Sequence, residues 1–177
     1  MTCIVGLKHG GKVYIGGDSA GVGNYDLTLR ADKKVFRNGP YVIGFTSSFR
    51  MGQLLAYKLS PPEPKRDQDL MGFMVVDFID AVRDCLKYSG FARVKENEEE
   101  GGNFLVGYGD RLFNIGTDFQ VGESIAGYDA AGCGESFALG SLHATKKMKP
   151  RDRVILALEA AEALSAGVRG PFTVLST

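Results

Sequence analysis

Thr2 is the residue whose type and position best suit it to act as a nucleophile without outside help. A hydroxyl needs a base beside it, and a threonine at a free terminus carries one, its own α-amine. Met1 precedes a small side chain, the context in which an initiator methionine is removed, so the opening MTCIVGLK presents Thr2 as the terminus once Met1 leaves. An unperturbed α-amine titrates at about pH 8, and a neighbouring lysine lowers it further by like-charge repulsion.

The other reactive side chains do not assemble into a competing chemistry. Cys3, Cys85 and Cys133 are odd in number and far apart, and the two histidines are His9 and His143. Neither a disulfide framework nor a zinc cluster is expected from that pattern. KENEEEGG reads as a solvated acidic loop, because consecutive carboxylates do not converge on a cation without a defined ligand geometry. The chemistry of Thr2 requires no metal and no organic cofactor. Lys plus Arg (21) balance Asp plus Glu (21), which removes the electrostatic support for nucleic acid or an anionic membrane surface as a partner. The apolar runs are short and broken by charges, and no secretory leader pattern opens the chain, so a cytoplasmic protein is expected.

Positioning Thr2 falls to a glycine-rich, strand-rich chain. Its 177 residues are 44% hydrophobic and include 24 glycines, enough for one buried core and hence one domain over 1–177. TCIVGLK and KVYIGGD are short β-rich runs joined by HGG, a hairpin; KKVFR and YVIGFT, joined by NGP, form a second. Helical spacing begins behind Ser47 and Ser48 with Met51, Leu54, Leu55 and Leu59, and SPPEP stops it. The stripe from Met71 to Leu86 predicts one long helix within 67–89, capped by Asp67 or Asp69. NFLVGYG, RLFNIG and DFQVG read as strands, with YDAAGCG closing that run. SFALGSLHATKKM and RDRVILALEAAEALSAG read as helices, the second with Pro150 near its start and Gly167 near its end, and PFTVLST reads as a last strand. Strands and helices in groups, rather than in strict alternation, imply an α+β architecture of mainly antiparallel sheets covered by helical layers.

The succession TCIVGLKHGGKVYIGGDSAG, KKVF and YVIGFTSS resembles the proteasome β-subunit family of N-terminal nucleophile hydrolases, and within it the HslV type of peptidase subunit. The likeness runs through the first 60 residues and returns more weakly at DAAGCGESFALGSL and in the closing helix and strand. It implies a four-layer αββα sandwich. It also implies Thr2 as nucleophile, Lys34 in KKVF as the cation poising it, and Asp18 in GGDS as the carboxylate orienting Lys34. The backbone N–H of Ser47 would serve the oxyanion in a place where the family usually has glycine. Cys133 in AGCGES stands where the family has a serine beside the terminal amine; burial as packing and a role as a second nucleophile are its other readings. The family's later aspartate has no counterpart, its place falling at Ala163 or Ser165, with Glu162 reaching it only by an altered register.

The resemblance therefore implies a threonine-type endopeptidase subunit acting on polypeptides, in a homo-oligomeric ring fed by a separate ATP-dependent unfoldase. Two alternatives stay open: a non-catalytic structural subunit of the same fold, and a small-molecule amidohydrolase, since a fold does not dictate a substrate.

Overall fold

The computed structural model describes residues 1–24, 26–91 and 93–177. Gly10 and Gly11, at φ 57° and 73°, supply the left-handed turn that folds β1 (Cys3–His9) against β2 (Lys12–Gly17). A second hairpin, β3 (Ala20–Gly23) with β4 (Asp26–Leu29), lies in a stretch not read as strand; β4 is exposed along its whole length and shows no buried alternation to betray it. β5 (Val35–Asn38) and β6 (Tyr41–Phe45) follow, then α1 (Phe49–Tyr57), whose first turn is capped by the Ser48 hydroxyl accepting from the N–H groups of Arg50 and Met51.

Asp69, not Asp67, caps the next helix by accepting from the N–H groups of Met71 and Gly72. The single helix expected within 67–89 is α2 (Leu70–Phe73), a π-helical turn over Met74–Phe78, and α3 (Ile79–Tyr88). The expected acidic loop is in fact a short hairpin, β7 (Arg93–Lys95) with β8 (Glu98–Glu100). Glu96 and Asn97 at φ 51° and 71° make its turn, and Glu99 is tied to Arg83 of α3 at 2.7 Å. After β9 (Phe104–Tyr108), β10 (Arg111–Ile115), the two-residue β11 (Val121–Gly122) and β12 (Tyr128–Gly132) come α4 (Glu135–Ala144), α5 (Pro150–Leu164) with Pro150 in its first turn, and β13 (Thr173–Ser176).

These strands make two main sheets with all neighbours antiparallel, one in the order β12-β1-β2-β13 and the other β11-β10-β9-β6-β5. Ile4, Val13, Ile15, Val35, Val42, Leu105 and Leu112 fill the space between them. The outer face of the second sheet buries Phe45, Phe104 and Phe113 with Leu55, Phe78 and Val82 of the helices over α1–α3. The outer face of the first buries Cys3, Val5 and Leu7 with Leu142, Val154 and Leu158 of α4 and α5. The result is the αββα sandwich of an α+β fold. Gly17 and Gly44 keep the sheets close: a Cβ on Gly17 would fall 2.7 Å from Ile4, and one on Gly44 2.6 Å from it. No helix among the described residues is long and apolar enough to cross a membrane.

Candidate active site

Thr2 immediately precedes β1, a central strand of its sheet, and is 5% exposed. Antiparallel pairing with β2 sets Ile4 opposite Gly17, so the next residue of the second strand, Asp18, comes back beside the start of the first. The Asp18 N–H donates to the Cys3 carbonyl at 3.4 Å, and its Oδ1 accepts from the Cys3 N–H at 3.0 Å. Oδ2 accepts from the N–H groups of Ala20 at 2.9 Å and Arg169 at 3.3 Å. Three backbone donors thus hold a carboxylate that is 2% exposed.

Lys34, one residue before β5 in the facing sheet and also 2% exposed, supplies the fourth. Its Nζ donates to Asp18 Oδ1 and to Thr2 Oγ1, each at 2.9 Å. The ammonium bridges the carboxylate and the hydroxyl, and all three groups are buried. Burial pushes the Lys34 pKa down and the Asp18 charge works against that push. The Phe49 ring lies with its centroid 5.6 Å from Nζ and carries the Arg30 guanidinium at 4.0 Å.

On its other side Thr2 meets Cys133. The Thr2 N–H donates to Cys133 Sγ at 3.3 Å, and the thiol lies 3.4 Å from the Thr2 carbonyl oxygen. Gly132, at φ 103°, admits this approach, since a Cβ there would fall 2.3 Å from that oxygen. Ser165 Oγ lies 3.3 Å from Cys133 Sγ. The sulfur is therefore neither buried packing nor the partner of a histidine; His143 Nδ1 pairs with the Tyr128 hydroxyl at 3.1 Å. Glu162 turns away, accepting from the Gly170 N–H at 3.0 Å. Met1 is attached, its carbonyl accepting from Thr2 Oγ1, and its side chain packs where a Cβ on Gly167 would stand.

Ser47 sits between β6 and α1 at φ 64°, a left-handed conformation in which glycine is at home. Its N–H makes no hydrogen bond among the described residues, while its side-chain oxygen accepts from the Asn103 N–H at 3.2 Å. Serine thus keeps the backbone shape that glycine would adopt and ties the turn to the start of β9.

Thr2, Asp18, Lys34 and Cys133 are thereby joined in one hydrogen-bonded cluster. Ser47 follows β6, the strand paired with β5, and stands two residues before Phe49, whose ring faces Lys34; among the described residues it shares no hydrogen bond with that cluster. Arg169 was not visible as a contributor, because it acts through its backbone N–H and no side-chain signal marks it. Phe49, an aromatic following a serine pair, carried a signal that helical capping alone did not use.

No protein-family model and no curated protein sequence matches the chain. Solved structures do. The chain is similar to BPH of Thiobacillus denitrificans in complex with Epoxomicin, with a TM-score of 0.81 and 18% identity over 99% of this chain and 97% of that one. It is similar to the eukaryotic HslV of Trypanosoma brucei, with a TM-score of 0.69 and 19% identity over 98% of both chains. It is similar to a mutant of Anbu from Hyphomicrobium, with a TM-score of 0.71 and 13% identity over 100% of this chain and 82% of that one. The chain shares the fold of these proteins, the fold that the resemblance of its first 60 residues implies.

Proposed function

We propose that the chain is a threonine-type endopeptidase subunit in which Thr2, freed by removal of Met1, attacks a peptide carbonyl. The observation that carries this reading is the Lys34 ammonium held 2.9 Å from both Thr2 Oγ1 and Asp18 Oδ1, with all three side chains buried. A buried ammonium has three N–H donors to satisfy; here one of them falls on the one hydroxyl whose own residue could supply an amine to take its proton.

In this mechanism the amine accepts the hydroxyl proton as Oγ1 attacks, and Lys34 stabilises the charge that develops on that oxygen. Asp18 fixes the lysine in place. The Ser47 N–H, without a partner among the described residues, takes the oxyanion. The proton then passes from the amine to the leaving amine, and water activated by the same group releases the acyl chain. The fold shared with HslV, Anbu and BPH supports a homo-oligomeric ring enclosing the sites, unfolded polypeptide as the substrate class, and delivery by a separate ATP-dependent unfoldase.

Turnover of a panel of fluorogenic peptides tests the reading. The wild-type chain is expected to hydrolyse at least one peptide, and Thr2→Ala to lose about 10⁴-fold or more, the scale on which removing a nucleophile acts. Equal turnover by both chains would exclude Thr2. A wild-type chain inert toward every peptide, in assembled form and without Met1, would favour the structural subunit.

A further inference from the structure

We propose that Ser165 is a positioning residue which, through the Cys133 thiol, gives the Thr2 α-amine a cradle without a carboxylate, so that the amine works as a base at lower pH than an ordinary terminal amine. The inference rests on the reading of Thr2 as nucleophile.

Three short contacts, made while Met1 is still attached and the Thr2 nitrogen is a peptide N–H, define the cradle that the amine inherits when Met1 leaves. Cys133 Sγ lies 3.3 Å from Thr2 N, 3.4 Å from the Thr2 carbonyl oxygen and 3.3 Å from Ser165 Oγ. With the thiol proton directed at the carbonyl oxygen, the sulfur accepts from Thr2 N and from the Ser165 hydroxyl. The hydroxyl thus fixes which way the sulfur's lone pairs point. Ser165 is itself held: it ends α5 in an extended conformation, its N–H donates to the Ala161 carbonyl and its carbonyl accepts from the Val168 N–H.

The charged and titratable groups around Thr2 N explain the direction of the effect. Lys34, preceding β5, places its ammonium 2.9 Å from Oγ1 of the same residue. Asp18, following β2, has both oxygens engaged, by Lys34 and by the N–H groups of Cys3, Ala20 and Arg169. Cys3, on β1, is buried and its thiol is pushed up to about 12. Glu135, in the first turn of α4, is exposed and acts on Cys3 through space. Glu162, on α5, is tied to the Gly170 N–H, and Arg169 lies 3.8 Å from it. No carboxylate accepts a hydrogen bond from Thr2 N among the described residues. The Lys34 cation favours the neutral form of the amine; Asp18, bonded to Lys34 and to the Cys3 N–H, offsets part of that effect, and no carboxylate adds to it by accepting from Thr2 N.

The same geometry offers the test. A cleft of about 450 Å³ lined by Glu162, Ser165 and Arg169 opens beside the serine, leaving room for a longer side chain. The pH dependence of kcat/KM for a peptide substrate is to be measured for the wild type, Ser165→Ala and Ser165→Asp. In the wild type the acid limb, where the amine gains its proton, is expected below the ordinary α-amine value of about 7.7–8.0. Ser165→Asp is expected to raise it by about one unit. Ser165→Ala is expected to lower kcat with little movement of the limb, because the thiol loses its orientation but no charge is gained. A wild-type limb at or above the ordinary value, or a limb unmoved by Ser165→Asp, overturns the inference while leaving the nucleophile in place. Absence of turnover in the wild type at every pH overturns both. Should Ser165→Asp fail to fold, the position of the wild-type limb decides.

Discussion

Lys34 is subject to opposing influences: burial works against its charge, and Asp18 supports it. Removing one partner of such a pair leaves the other charge uncompensated, so Lys34→Met is expected to lower the unfolding free energy by about 3–5 kcal/mol. Adding Asp18→Asn should restore part of that loss, and urea denaturation of the single and double variants reads both. The depressed pKa also sets a pH effect. The folded chain releases this proton below the usual lysine value of 10.5, where the unfolded chain still holds it. Peptide turnover should therefore fall on the alkaline side before pH 10.5. Over the window between the folded and unfolded values the stability owed to this group rises with pH, and below that window its burial penalty is constant. A turnover profile flat to pH 10.5 would show that Lys34 carries no charge needed for the chemistry.

At the scale of elements, the site depends on backbone shapes at two turns. Ser47 keeps a φ of 64° and Gly132 one of 103°. Ser47→Gly is expected to preserve turnover within a few-fold, since the N–H stays where it is, whereas Ser47→Pro removes that N–H and demands a negative φ. Gly132→Ala should slow peptide turnover, because its Cβ meets the Thr2 carbonyl and the residue must hold a positive φ. Parallel kinetics and thermal melts separate the site effect from unfolding. The same features explain what could be read from the chain. The β1–β2 hairpin, the α1 stop and the sheet-and-helix grouping were legible, because apolar periodicity, Gly10–Gly11 and SPPEP act locally. The β3–β4 and β7–β8 hairpins were not, since β4 and β7 are exposed throughout and leave no buried alternation, and Glu96–Asn97 makes its turn without glycine. That Thr2, Asp18, Lys34 and Cys133 come together was expected through resemblance, and the chain's own spacing made the approach of the first three reasonable. The backbone contact from Arg169 and the place of Ser165 against the thiol arise only from the tertiary path of the chain after α5.

At the scale of the whole molecule, the proposed ring has a physical requirement: apolar groups that the isolated chain leaves in water. Leu27 and Leu29, two apart on the exposed β4, are 45% and 55% accessible, and their alternation puts them on one face of that strand. Burying such a pair between copies is the favoured fate of adjoining exposed apolar side chains. Leu27→Lys combined with Leu29→Lys is expected to shift native mass from an oligomer toward the single chain without changing the circular dichroism. An assembly of unchanged mass would place the contact elsewhere.

Intact-mass spectrometry with a peptide epoxyketone tests the nucleophile most directly, because that reagent needs a hydroxyl to attack its ketone and a free amine to open its epoxide on the same residue. The account predicts a chain lighter by one methionine that gains a single adduct mapped to Thr2, with no adduct on Thr2→Ala. A chain that keeps Met1 when purified from its native host and takes no adduct, or a Thr2→Ala chain modified as fast as the wild type, would contradict it.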